Sequence, residues 1–180
     1  MRKYIAIGIL ALSVSMPVYS ALNIGANAPS FVTEASLGGK VFTFSLADAL
    51  KKGPVVLYFY PAAFTPGCTI EAHDFADAIG KYKALGATVI GVSHDDIEKL
   101  NRFSVSECRK KFAVASDANQ SIMRSYDAIL AAKPQYANRV SYVIVPDGKI
   151  IYTYTDLNPD RHVANTLEAL RKWNEESKSY

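Results

Sequence analysis

The chain is poor in the features that mark several protein classes. It has 180 residues but only two cysteines, Cys68 and Cys108, so a multi-disulfide scaffold is excluded. Of its three histidines, His94 and His162 have no ligand-like spacing with the cysteines. Its longest apolar run, Tyr4 to Val14, falls short of the ~20 residues a membrane-crossing helix needs. There is no basic stripe to suggest nucleic acid, and the short runs Lys51-Lys52 and Arg109-Lys110-Lys111 fit solvated surface. Repeats, low-complexity tracts and linkers are also missing, so one domain is expected.

The amino terminus is a leader by pattern. Arg2 and Lys3 are basic, an apolar run follows, and Val18-Tyr19-Ser20 offers small residues before a cut ahead of Ala21. Residues 1–20 are expected to be a signal peptide, with a retained anchor as the alternative, and the domain to run from 21 to 180. The formal charge of +3 is partly the leader's, because without Arg2 and Lys3 the basic count falls from 20 to 18 against 17 acids. Such a leader implies export, here to the bacterial periplasm. In an oxidising compartment a cysteine pair is usually a disulfide, so a structural Cys68–Cys108 bridge is one open reading.

Residues 21–40 read as loop, with Gly25, Pro29, Gly38 and Gly39 as breakers. Val41–Phe44 suits a short strand, and Ser45 can cap a helix through Leu50. Val55–Tyr60 is apolar on both faces, as a central strand would be. A helix follows with a stripe at Ala72, Phe75, Ile79 and Tyr82, ending at Gly86. Extended back by four, the stripe reaches Cys68. Ala87–Val92 is a second buried strand. Asp95 and Glu98 look like a capping box for a helix that runs toward Cys108. Phe112–Ala115 is a third strand, and Asn119 opens a helix to about Tyr126. Val140–Val145 and Ile150–Tyr154 form a hairpin across Pro146-Asp147-Gly148-Lys149. Asn158-Pro159 starts a last helix, with Val163, Leu167, Leu170 and Trp173 inward. The alternation predicts an α/β fold, a mixed central β-sheet flanked by helices on both faces.

Cys68 thus sits where a strand hands over to a helix. A free cysteine is only about 3% thiolate at pH 7, and unpaired N–H groups in a first helical turn favour the anion. Read singly, Thr65 could be a helix cap, Pro61 a strand stop, and Arg139 a surface arginine.

Pro61-x-x-x-Thr65-x-x-Cys68, within the run Phe59-Tyr60-Pro61 to Phe64-Thr65-Pro66-Gly67-Cys68-Thr69 and on to Glu71-Ala72, resembles the peroxiredoxin signature of the bacterioferritin-comigratory (PrxQ-like) branch. The resemblance implies a thioredoxin-like fold and a thiol peroxidase. Cys68 would attack hydrogen peroxide or an alkyl hydroperoxide, with Thr65 beside the sulfur and Pro61 shielding the pocket. Arg139, at the start of Arg139-Val140-Ser141-Tyr142, matches the family arginine that approaches the sulfur, and Glu71 also fits the pattern. Without the match Glu71 would be a helix-surface acid. Many relatives place a resolving cysteine where His73 stands. His73 lies about 140° around the helix from Cys68 and reads as a surface histidine. Some relatives resolve instead from the helix after the second strand, which makes Cys108 the candidate here.

The resemblance further implies a thioredoxin- or glutaredoxin-like donor, no metal, flavin or haem, and a monomer or weak dimer. The absence of Cys-x-x-Cys and Cys-x-x-x-Cys counts against a thioredoxin-type reductase and a copper-carrying relative. Two rivals stay open: a one-cysteine peroxidase resolved by external thiol, and a non-catalytic redox-sensing or binding protein with a structural disulfide.

Overall fold

The computed structural model describes residues 21–177, so the expected leader and its cleavage point before Ala21 lie outside or at the limit of the described residues. Seven strands form one mixed sheet in the order β2-β1-β5-β4-β3-β6-β7. The strands are β1 (Val32–Leu37), β2 (Lys40–Ser45), β3 (Val55–Phe59), β4 (Thr88–Ser93), β5 (Ala113–Ser116), β6 (Val140–Ile144) and β7 (Ile150–Thr155). The helices are α1 (Leu46–Leu50), α2 (Pro66–Ala84), α3 (Ile97–Ser106), α4 (Ser121–Ser125) and α5 (His162–Ser177).

The long crossovers through α2 and α3 return the chain parallel to itself, so β3, β4 and β5 are parallel. β6 lies antiparallel to β3, and the short turn after it adds β7 as an antiparallel edge. β3 is central and wholly buried, and its alternation divides the core in two. Val55, Leu57 and Phe59 face a cluster with α1 and α4. Val56 and Tyr58, with Tyr60 beyond the strand end, face α2, α3 and α5, and this second cluster holds both cysteines. Gly91 on β4 leaves room for Tyr58, because a Cβ there would stand 2.6 Å from the ring's Cζ. No helix among the described residues is long and apolar enough to cross a membrane.

Four local expectations need correction or refinement. Residues 32–37 are strand rather than loop, and Gly38 and Gly39 turn the chain into β2 with φ of 56° and 86°. Thr33, Glu34 and Ser36 hide β1 from any apolar pattern, and pairing with β2 and β5 creates the strand. The cap of α3 is Asp96, which accepts from the Lys99 N–H at 2.7 Å, while Asp95 is buried elsewhere. Helix α4 starts after Gln120 at φ 62°; Asn119 Oδ1 accepts from its first N–H, Ser121, at 3.0 Å, and the Asp117 carboxylate takes the next two, Ile122 and Met123. A 3-10 turn, Pro159–Arg161, precedes α5, whose buried face is His162, Thr166, Leu167 and Leu170, with Val163 and Trp173 only partly covered.

Candidate active site

The site forms where β3 ends and α2 begins. Phe64 adopts φ 67°, rare for a residue with a side chain, and its ring packs edge-on against Phe103 of α3 with centroids 5.2 Å apart. Thr65 is the extended residue before the helix, yet its side chain does not cap it. The Thr65 hydroxyl donates instead to the Ala62 carbonyl at 2.9 Å, which removes the helix-cap reading. Pro66 takes the first helical position, where no N–H is needed. Cys68 follows in the first turn and is buried, at 2% exposure. Pro61 is half-buried at the end of the strand.

Arg139 enters from the residue before β6, which pairs with β3 and so brings the two ends together. It is buried, not a surface arginine. Its Nη2 lies 3.5 Å from Cys68 Sγ, its Nη1 donates to Glu71 Oε2, and its Nε donates to the Leu157 carbonyl at 2.9 Å. Gly67 makes the approach possible, because a Cβ there would stand 3.1 Å from Nη2.

Glu71 is fully buried, which corrects the helix-surface reading. Burial pushes its carboxyl up to about 8, with Arg139 pulling against the rise. Its second oxygen, Oε1, has no hydrogen-bond partner among the described residues and lies 3.7 Å from His162 Nδ1. His162 is buried too. A carbonyl can only accept, so its Nε2–H donates to Asp156 O at 2.9 Å and its Nδ1 accepts from the Ser141 hydroxyl at 2.8 Å. Burial lowers this imidazole to about 4 and keeps it neutral. Pattern reading gave neither His162 nor Ser141 a part in this network. The available signal is Ser141 on β6, two residues after Arg139.

Asp95 fastens the loop from the other side. Its carboxylate accepts from the Ala63 N–H at 2.7 Å, the Ser93 hydroxyl at 2.8 Å and Lys99 Nζ at 2.6 Å. It was read as a cap because an acid three residues before Glu98 fits that pattern.

Cys108 lies beyond the end of α3, not on the helix, and its N–H bonds the Phe103 carbonyl at 3.0 Å. It is fully buried, and burial, then the neighbouring Glu107 carboxylate, push its thiol far above the ordinary range. Both cysteines are free thiols in the same apolar cluster, with Tyr58 and Tyr60 within electrostatic reach of each. His73 is half-exposed and bonds Glu107 at 2.8 Å. His94 packs edge-on against Tyr136.

The arrangement can hold a negative sulfur. A guanidinium is in contact with it, and the first-turn N–H groups of α2 have no partners within their own helix. A nucleophile so placed can attack a weak bond whose leaving atom becomes an anion.

A model of the AhpC/TSA family matches residues 24–153. The chain is 33% identical to chloroplastic peroxiredoxin Q of Populus jackii over 160 residues, 88% of this chain and 73% of that protein. The crystal structure of peroxidoxin BcpB from Mycobacterium tuberculosis superimposes with a TM-score of 0.75 at 30% identity, over 83% of this chain and 96% of the other. AhpC of the same organism shares the fold, with a TM-score of 0.77 at 20% identity, over 87% of this chain and 96% of the other.

Proposed function

The chain belongs to the AhpC/TSA family, as a thiol-dependent peroxidase of the peroxiredoxin Q kind, and on that premise we propose that Cys68 is the sulfur that attacks peroxide. One observation carries the assignment: the buried Arg139 guanidinium, 3.5 Å from Cys68 Sγ at the start of a helix. The Cys68 thiolate attacks one oxygen of a hydroperoxide, and the O–O bond breaks. The sulfur becomes a sulfenic acid, and the departing alkoxide or hydroxide takes a proton and leaves as alcohol or water. Arg139 holds charge on sulfur and oxygen through the transfer, and Glu71 fixes the guanidinium plane. Thr65 contributes its hydroxyl and Pro61 shields the pocket without offering an N–H.

Cys108 then resolves. Its sulfur bonds to Cys68 Sγ, the S–O bond breaks, and hydroxide leaves with the Cys108 proton as water. A thioredoxin- or glutaredoxin-like donor reduces the disulfide by thiol exchange. The reading also takes the protein as a monomer or weak dimer. The reading includes export to the bacterial periplasm after cleavage ahead of Ala21. Its support is the sequence pattern, basic Arg2-Lys3, an apolar run and small residues before the cut.

The test is peroxide consumption by the reduced protein and by Cys68→Ser. The variant should fold and lose turnover, and near wild-type turnover would overturn the assignment. Mass spectrometry after one equivalent of peroxide separates the two modes of resolution. An internal disulfide loses two hydrogens, whereas resolution by external thiol leaves an added oxygen on Cys68.

A further inference from the structure

Cys108 is flanked by two residues that both reach across to α2. Glu107 accepts from His73 Nε2 at 2.8 Å, and Arg109 Nη1 donates to Asp77 Oδ1 at 2.5 Å. His73 and Asp77 are one turn apart on the outer face of the helix that carries Cys68. The segment they hold is not at rest. Arg109 and Lys110 are consecutive left-handed residues, with φ of 50° and 57°, a conformation that side chains disfavour. Between the two pairs, Cys108 is fully buried, its N–H tied to the Phe103 carbonyl.

We infer that His73–Glu107 and Asp77–Arg109 form a two-point clasp on the Cys108 segment, and that its release sets how fast Cys108 reaches oxidised Cys68. This rests on the reading that Cys108 resolves. The two sulfurs start on different elements, and a disulfide needs Cα atoms within about 7 Å. Cys108 is fully buried with its N–H tied to Phe103, and any motion that carries the Cys108 segment toward the first turn of α2 pulls against both pairs of the clasp. Release also frees Arg109 and Lys110 from their left-handed conformation. The clasp therefore prolongs the sulfenic acid on Cys68. His73 and Asp77 touch neither sulfur nor Arg139 in any hydrogen bond or ion pair the structure shows, so they act as positioning residues.

The experiment follows the reduced protein after one equivalent of hydrogen peroxide. Samples are quenched at intervals with a sulfenic-acid trap and analysed by mass. Partly exposed polar pairs such as these shift such equilibria by factors of up to about five. His73→Ala and Asp77→Ala should each close the disulfide about two- to fivefold faster, and together about tenfold faster. The rate at which Cys68 itself is oxidised should not change. Asp77→Arg should also close faster, and adding Arg109→Asp, which restores an opposite pair, should return the wild-type lifetime. A merely structural contact would not separate the two rates or be rescued by the swap. Closure at the wild-type rate in all variants, or slower closure, overturns the clasp while leaving Cys108 as resolver. No Cys68–Cys108 bond in the wild-type protein overturns the resolving role, and the clasp with it.

Discussion

Arg139 directs one buried guanidinium at three partners, the Cys68 sulfur, the Glu71 carboxylate and the Leu157 carbonyl. A lysine cannot reproduce a planar fork, and it would leave Glu71 short of a donor in a buried setting. Arg139→Lys should therefore lower the second-order rate constant with peroxide by about tenfold or more, read by stopped-flow competition. Gly67→Ala tests the same contact from the other side. Its Cβ would stand 3.1 Å from Nη2, so the guanidinium must give by a few tenths of an ångström. A loss of up to about tenfold in the same rate constant is expected, with the melting temperature little changed. The meeting of Arg139 with Cys68 is legible in the sequence, because a motif marks one residue and a strand start the other. Glu71 was marked only through the motif. His162 and Ser141 were not, since a lone histidine in an amphipathic helix looks the same whether it faces water or a buried carboxylate.

At the scale of elements, the loop between β3 and α2 is held by its neighbours as much as by its own residues. Asp95, just past β4, takes the Ala63 N–H, and Phe64 leans on Phe103 of α3. Asp95→Ala leaves that buried N–H without its acceptor and frees the Lys99 ammonium. A loss of about 2–3 kcal/mol in urea unfolding is expected, with a slower reaction toward peroxide. Recovery of both by Asp95→Ser would show that an acceptor oxygen, rather than charge, is what the loop needs. The central strands β3, β4 and β6 were legible because both their faces are apolar. β1 was not, because its residues are polar enough to pass for loop and only the pairing with β2 and β5 makes them a strand. The cap of α3 falls one residue after the expected one, because two acids crowd the helix start and tertiary contacts decide that Asp95 turns inward.

Over the whole molecule, the sheet separates two cores, and both cysteines lie on one side with the buried Glu71 and His162. This burial makes stability depend on pH. The imidazole of His162 titrates near 4 in the fold against an ordinary 6.5. The unfolded chain thus binds the proton first as pH falls, so stability present above 6.5 is lost through the window down to about 4. The loss should be roughly 2–3 kcal/mol. Glu71, raised to about 8 by the same burial, takes up its proton in the fold and works the other way as pH falls, so the His162 contribution is read as a difference: the stability of the wild type relative to His162→Gln should fall by that amount between pH 7 and 4 in urea unfolding. An unchanged difference would place the proton uptake elsewhere.

The Thr65 hydroxyl has a consequence for what the protein can turn over. Its one proton is committed to the Ala62 carbonyl, so to any other group that meets it the oxygen presents lone pairs alone. On the proposed reading, a substrate oxygen beside Thr65 gains a hydrogen bond only if it carries hydrogen. Hydrogen peroxide and alkyl hydroperoxides meet that condition. A dialkyl peroxide, with the same weak O–O bond but no hydrogen on either oxygen, would find an acceptor facing an acceptor. On that reading the direction of one hydroxyl selects among peroxides before any difference in bond strength or size is felt.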